Sequence, residues 1–227
     1  MSIFSETMRG LCPDMEEAQL AAMSGYYGYL VKNNREFNLT SITEEREAAF
    51  KHFYDSIFCE DLIPAGASVL DMGAGAGFPG IPLKIVRPDI RLTLLDSAAK
   101  KANFMEKAAR YIGLNVRVVC ARAEEAAKKE MRESFDVCVS RAVAPLYMLF
   151  ELCLPFVHMG GLFLAYKGEY TEELMRSQNA LAQLGGTFEK AVRGGGGLNH
   201  NVLLVKKTGE TPEKYPRRYA RILKNPL

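Results

Sequence analysis

Val69-Leu70-Asp71-Met72-Gly73-Ala74-Gly75-Ala76-Gly77-Phe78-Pro79-Gly80 is an apolar run that ends in an acid and opens into a loop of alternating small residues. The chain leaves that loop through Gly80-Ile81-Pro82-Leu83-Lys84-Ile85-Val86, which reads as a helix with proline in its first turn. A strand, a tight loop and a helix therefore follow one another here. Gly73, Gly75 and Gly77 permit positive φ and remove the Cβ atoms that would hold a flat polar ligand off the main chain. The pattern predicts a ligand lying across the loop.

Two cofactor classes use such a turn. Gly75-Ala76-Gly77-Phe78-Pro79-Gly80 satisfies the dinucleotide pattern G-x-G-x-x-G. In that fold, however, the first glycine follows the strand closely and the pyrophosphate sits on the helix N-terminus. Here Asp71 and Gly73 come first, and a carboxylate beside a pyrophosphate repels it. An Asp-x-Gly-x-Gly-x-Gly loop instead resembles the S-adenosylmethionine site of class I methyltransferases, whose ligand carries a sulfonium and an ammonium. The next strand, Arg91-Leu92-Thr93-Leu94-Leu95, ends in Asp96, where a carboxylate can accept both ribose hydroxyls of a nucleoside. Dinucleotide enzymes place an acid there too, so Asp96 indicates a nucleoside without saying which. Taken singly, Asp71 also suits a helix or loop cap and Asp96 a solvated strand end.

The length of 227 residues accommodates one α/β domain with a modest appendage. Hydrophobic residues make up 48% and charged residues 25%, an ordinary soluble composition. The net charge is only +2, so affinity for nucleic acid has to come from local clusters of lysine and arginine. Five scattered cysteines, without a C-x-x-C pair or histidines at ligand spacing, argue against a disulfide framework and a zinc site and for a reducing compartment. No apolar run reaches membrane-span length and the polar N-terminus lacks the regions of a signal peptide, so the chain reads as cytoplasmic.

Helical spacing is predicted over residues 14–33, with Asp14 as cap and Asn33-Asn34 as stop. A second helix is expected from Thr43 and a third over 56–62, together a helical cap over residues 1–64. Strands are then predicted at 68–72, 91–96, 116–120, 135–140 and 162–166, alternating with helices at 81–86, 98–112, 123–132 and 146–157. A helix over 172–184 precedes an antiparallel pair, 187–192 and 202–206, around the glycine run at 194–197. This is the pattern of an α/β, Rossmann-like class I methyltransferase core over residues 65–207: a mostly parallel sheet closed by an antiparallel final strand. Residues 208–227 read as a basic tail with interleaved tyrosines.

Ligands of doubly wound sheets gather outside the carboxyl ends of the strands. Those ends offer Ala121-Arg122-Ala123-Glu124, Ser140-Arg141-Ala142 and Lys167-Gly168. The first can hold an adenine ring, with small Ala123 leaving room, or be an ordinary turn in which Glu124 favours the helix dipole. The Asn/Asp-Pro-Pro-aromatic segment of many amine-methylating enzymes is absent, and so is the Pro-Cys nucleophile of 5-methylcytosine enzymes.

The runs Leu70 to Leu83, Leu94-Leu95-Asp96-Ser97, Phe135-Asp136, Ser140-Arg141-Ala142 and Lys167-Gly168 resemble the RsmG (GidB) family of small-subunit ribosomal RNA guanine-N7 methyltransferases. So do Asn38-Leu39-Thr40, His52-Phe53-Tyr54-Asp55-Ser56 and Tyr215-Pro216-Arg217-Arg218. The resemblance spans nearly the whole chain, and its Phe-Pro-Gly-Ile-Pro exit is more specific than a general methyltransferase signature. It implies methyl transfer from S-adenosylmethionine to N7 of one guanine, guanine 527 of 16S rRNA. It also implies cofactor contacts at Gly73, Phe78, Ala123, Glu124 and Arg141, beside Asp71, Gly75 and Asp96 read from the loop. Where family members often carry an Arg-His pair before the last strand, this chain has Asn199-His200-Asn201.

Guanine N7 has an available lone pair, so attack requires no base, and alignment is the main source of rate. Arg141 is expected to anchor cofactor or phosphate, and Lys167 to pair with O6 on the major-groove edge. His52 and Asp55 are expected on the RNA side of the crevice or in packing between cap and core. Arg217, Arg218, Arg221 and Lys224, with Tyr215 and Tyr219, suit phosphate contact and base stacking; loss of the tail is expected to weaken RNA binding and leave cofactor binding intact. The expected partner is 16S rRNA within the small subunit or an assembly form of it, the expected state a monomer, without metal. The rivals are a class I methyltransferase acting on a small molecule or protein, a non-catalytic nucleotide-binding module and a non-catalytic assembly factor.

Overall fold

The computed structural model describes residues 2–195 and 197–227. Two helices, α1 (Ile3–Leu11) and α2 (Glu17–Phe37), open the chain. The helix α1 lies outside the predicted set; it is nine residues long and buries Phe4 and Met8 on one face. Helix α2 starts later and runs further than 14–33. The Glu16 N–H donates to Gln19 Oε1 at its start, and Asn34, inside the helix, accepts the N–H groups of Leu39 and Thr40 through its side chain. What reads as an asparagine stop is thus a helical residue that folds the next segment back, with Asn38 supplying the left-handed cap.

The second and third predicted helices are one continuous helical segment. It comprises α3 (Glu45–Ala48), a π-helical stretch Ala49–Tyr54 and α4 (Asp55–Ile57), followed by a 3-10 turn Glu60–Leu62. Glu44 caps it, its carboxylate accepting the Arg46 and Glu47 N–H groups.

From there strands and helices alternate: β1 (Ser68–Met72), α5 (Gly80–Val86), β2 (Arg91–Asp96), α6 (Ala99–Tyr111), β3 (Arg117–Cys120), α7 (Ala123–Ala126), β4 (Phe135–Arg141), α8 (Leu146–Cys153) and β5 (Val157–Lys167). The helices α9 (Thr171–Arg176) and α10 (Gln178–Leu184), the strands β6 (Gly186–Arg193) and β7 (Asn201–Lys207), and α11 (Tyr219–Lys224) complete the chain. Strand β5 is longer than predicted, because the turn at Met159-Gly160-Gly161 stays within the ladder. The predicted tip at 194–197 includes Gly196, which lies outside the described residues.

The seven strands lie in the order β3-β2-β1-β4-β5-β7-β6. The first five pair in parallel, and β7 runs antiparallel to both β5 and β6. Chain order reverses between β1 and β4, which places the crevice of the sheet at the ends of those two strands. Successive strand residues face opposite sides. Val69, Leu94, Val139 and Leu164 belong to one core with Phe4, Met8, Met23, Tyr26 and Phe53, while Leu70, Leu95, Cys138 and Phe163 pack with α8 and α10 in the other. The N-terminal helices therefore share the apolar core of the sheet. Among the described residues no helix is long and apolar enough to cross a membrane.

Candidate functional site

The loop after β1 is held from below. Its Gly73 and Ala74 N–H groups donate to Leu95 O, and Gly75 N–H donates to Asp96 Oδ2 at 3.0 Å. Asp71 is fully buried, and its Oδ2 accepts the Gly80 N–H at 2.8 Å, while Oδ1 has no hydrogen-bond partner. Burial, opposed by that N–H and by Arg141, pushes the Asp71 carboxyl up to about 7. Asp71 lines neither cavity described below, and its bond to Gly80 fixes the loop to α5.

Two cavities open at the carboxyl ends of the strands and share Gly73, Lys101 and Ala142. The smaller, about 290 Å³, lies over β2 and β3 between Asp96, Ser97, Ala123, Glu124 and Tyr219. Asp96 Oδ1 accepts the Ala98 N–H at 2.8 Å, and Lys101 Nζ lies 4.0 Å from Oδ2, so the carboxylate is held rigidly with lone pairs remaining. The larger, about 860 Å³, lies between the loop, the helical segment and the β6–β7 connection, lined by Thr40, His52, Asp55, Phe78, Arg141 and His200 among others.

The larger cavity is built around one carboxylate. Asp55 is completely buried; its Oδ2 accepts from Arg141 Nη1 at 2.8 Å and its Oδ1 lies 2.9 Å from His200 Nδ1. Arg141 also donates to the carbonyls of Lys51 and His52, and its guanidinium carbon stands 5.3 Å from the centre of the Phe78 ring. His52 stacks on the same ring at 4.9 Å with Nε2 2.7 Å from Thr40 Oγ1. Phe78, predicted as a ligand contact, is also the rivet between the glycine loop and the helical segment.

Burial, then the Arg141 charge, lowers the His52 pKa to about 4, below its ordinary 6.5. Between these values the unfolded chain takes up a proton at His52 that the folded protein refuses, so stability falls as pH drops from about 6.5 toward 4. His52→Gln should remove about 1–2 kcal/mol of that acid sensitivity, read as a smaller difference between urea midpoints at pH 7 and pH 5. An unchanged difference contradicts a neutral, buried His52.

Several predicted residues lie elsewhere. Lys167 does not line either cavity; its Nζ is 2.7 Å from Glu173 Oε2, and the same oxygen accepts the Leu146 N–H. These contacts pin the loop before α8 to α9. Arg217 is likewise committed, since its guanidinium grips the buried Glu151 through Nε and Nη2. Arg218, Arg221 and Lys224 are exposed. The tail lies folded against the core and brings Tyr219 to the wall of the smaller cavity. The cavity walls also contain Ser97, Lys101, Val143 and His200, to which the sequence reading assigned no role. Among the described residues no group of His, Cys, Asp and Glu is placed to hold a metal ion.

A seven-stranded sheet with β7 antiparallel, a glycine loop after β1 and an acid ending β2 define a class I methyltransferase fold. A solved methyltransferase from Pyrococcus furiosus shares that fold at TM-score 0.56 and 15% identity, over 82% of this chain and 98% of its own. The family model described as rRNA small subunit methyltransferase G (GidB) matches residues 19–202. Ribosomal RNA small subunit methyltransferase G of Pelotomaculum thermopropionicum is 43% identical over all of both chains. The protein of the same name from Lachnoclostridium phytofermentans is 44% identical over all of this chain and 97% of its own. The chain belongs to the rRNA small subunit methyltransferase G family.

Proposed function

We propose that this protein transfers a methyl group from S-adenosylmethionine to N7 of a guanine in the 16S rRNA of the small ribosomal subunit, acting as a cytoplasmic monomer on the particle or an assembly form of it. The observation that carries the reading is the pair of cavities joined at Gly73: a small polar one suited to a nucleoside and a larger one suited to a base.

The residues present fit S-adenosylmethionine. The rigid Asp96 carboxylate suits the ribose hydroxyls, and Ala123 and Glu124 flank space for the adenine. At Gly75, φ is +60° and an added Cβ meets nothing nearer than Gly73 O at 3.9 Å; the open space above it is that of the cradle. When bound, the cofactor supplies a methyl group made electrophilic by a sulfonium.

The chain's own contribution is alignment. Guanine N7 has no proton to lose, so the transfer asks no base of the larger cavity, where Asp55 is held by Arg141 and His200 and His52 faces Thr40. Phe78, His52 and Arg141 form a rigid wall that restricts the base, the source of rate such a reaction needs. Arg141 acts as a positioning residue that closes the helical segment on the loop. Arg218, Arg221 and Lys224 are exposed, whereas the Arg217 guanidinium is committed to Glu151.

The test is methyl transfer from labelled S-adenosylmethionine to small subunits that lack their native methylation, with the modified base mapped. Label at N7 of one guanine is the expected result. Cofactor binding without transfer to any rRNA would overturn the substrate assignment in favour of a small-molecule or protein acceptor.

A further inference from the structure

The C-terminal segment is anchored along its length. Lys207, buried at the end of β7, reaches Glu133 Oε1 at 3.0 Å, and the Thr211 N–H donates to the same oxygen at 2.9 Å. Arg132 holds the carbonyls of Thr211 and Tyr215. The buried Tyr215 ring donates its hydroxyl to Gln183 Oε1 at 2.6 Å, and Ile222 is fully buried in the core beside α8. Between these points Glu151, itself completely buried, accepts the Arg217 backbone N–H at 2.8 Å as well as its guanidinium. Two residues later the Tyr219 N–H reaches Glu124 Oε1 at 3.3 Å, and Tyr219 lines the smaller cavity opposite Asp96 and Ser97.

We propose that Tyr219 is a cofactor-binding residue, forming one wall of the nucleoside end of the S-adenosylmethionine pocket. The Arg217–Glu151 pair is the positioning device that delivers it, so the C-terminal segment is part of the cofactor site rather than an RNA-binding arm. The inference rests on the cofactor reading above. An arm meant for RNA would keep its aromatic rings free. Here the first arginine is spent on a buried carboxylate, and the two tyrosines face the core and the cavity. Glu124, on α7, accepts the Tyr219 N–H, which ties the tail to the rim of the pocket. An aromatic ring beside a purine contributes through stacking and excluded water.

The experiment is calorimetric titration of the full chain with S-adenosylhomocysteine, for the parent protein, Tyr219→Ala and Tyr219→Phe. Alanine should weaken binding about tenfold, in the range of an aromatic–base contact, and phenylalanine should bind within about twofold of the parent. Tyr219 is 37% exposed, so the substitution leaves the core intact; an unchanged urea midpoint checks this. Equal S-adenosylhomocysteine binding by parent and Tyr219→Ala overturns the inference alone. A parent protein that binds no S-adenosylhomocysteine removes the cofactor reading itself, and this inference with it.

Discussion

Asp55→Ala should destabilise the fold by about 3–5 kcal/mol and detach the helical segment from the sheet. Asp55 is fully buried and serves two partners from distant parts of the chain, Arg141 at 2.8 Å and His200 at 2.9 Å. Removing the carboxylate leaves Arg141, only 11% exposed in its side chain, with carbonyl contacts and a ring face but no counter-ion. An unpaired buried cation costs more than the pair contributes, because its desolvation is no longer offset. His200 is 42% exposed in its side chain and can turn to water, so His200→Ala should cost about 1 kcal/mol or less. The measurement is equilibrium unfolding in urea for both variants and the double mutant. A loss below about 1 kcal/mol for Asp55→Ala would mean that the carboxylate does not hold the two parts together.

Asp96→Ala should weaken S-adenosylhomocysteine binding by about 10²–10⁴-fold, the equivalent of two hydrogen bonds to a charged group at about 1.5–3 kcal/mol each. Its carboxylate ends β2, lines the smaller cavity and accepts the N–H groups of Gly75 and Ala98, so its removal both deletes the acceptor proposed for the ribose hydroxyls and frees the glycine loop. Asp96→Asn keeps one acceptor oxygen and should fall between the two. Calorimetry on the folded variants decides it; a change of less than about threefold would place the ribose elsewhere. The contrast with Asp71 is informative. Asp71 holds Gly80 from inside the protein, so Asp71→Asn, which keeps a carbonyl for that N–H, should leave cofactor affinity nearly unchanged while altering stability.

What could be read without coordinates was local. Positive φ at Gly73, Gly75 and Gly77 is a demand on three nearby residues, and the strand that carries Asp71 announces itself in five. The same holds for Asp96, which must follow its strand directly to reach a nucleoside. Parallel strands alternating with helices, and the single antiparallel closure by β7, follow from apolar runs spaced by helical periods. These features determined the fold class, the position of the crevice and, through the specific loop exit, the family.

What could not be read was the partner of each charge. Asp55 meets Arg141 across 86 residues and His200 across 145, and Arg217 meets Glu151 across 66. In the sequence Arg217 and Arg218 are adjacent and chemically alike, yet one closes a buried ion pair and the other is exposed. A side chain's charge says nothing about whether it ends in water or against a carboxylate, because that depends on which distant segments the packed cores bring together. Lys167, Arg217 and Tyr219 were therefore assigned their places only by the tertiary structure, whereas the glycine loop needed nothing beyond its own backbone.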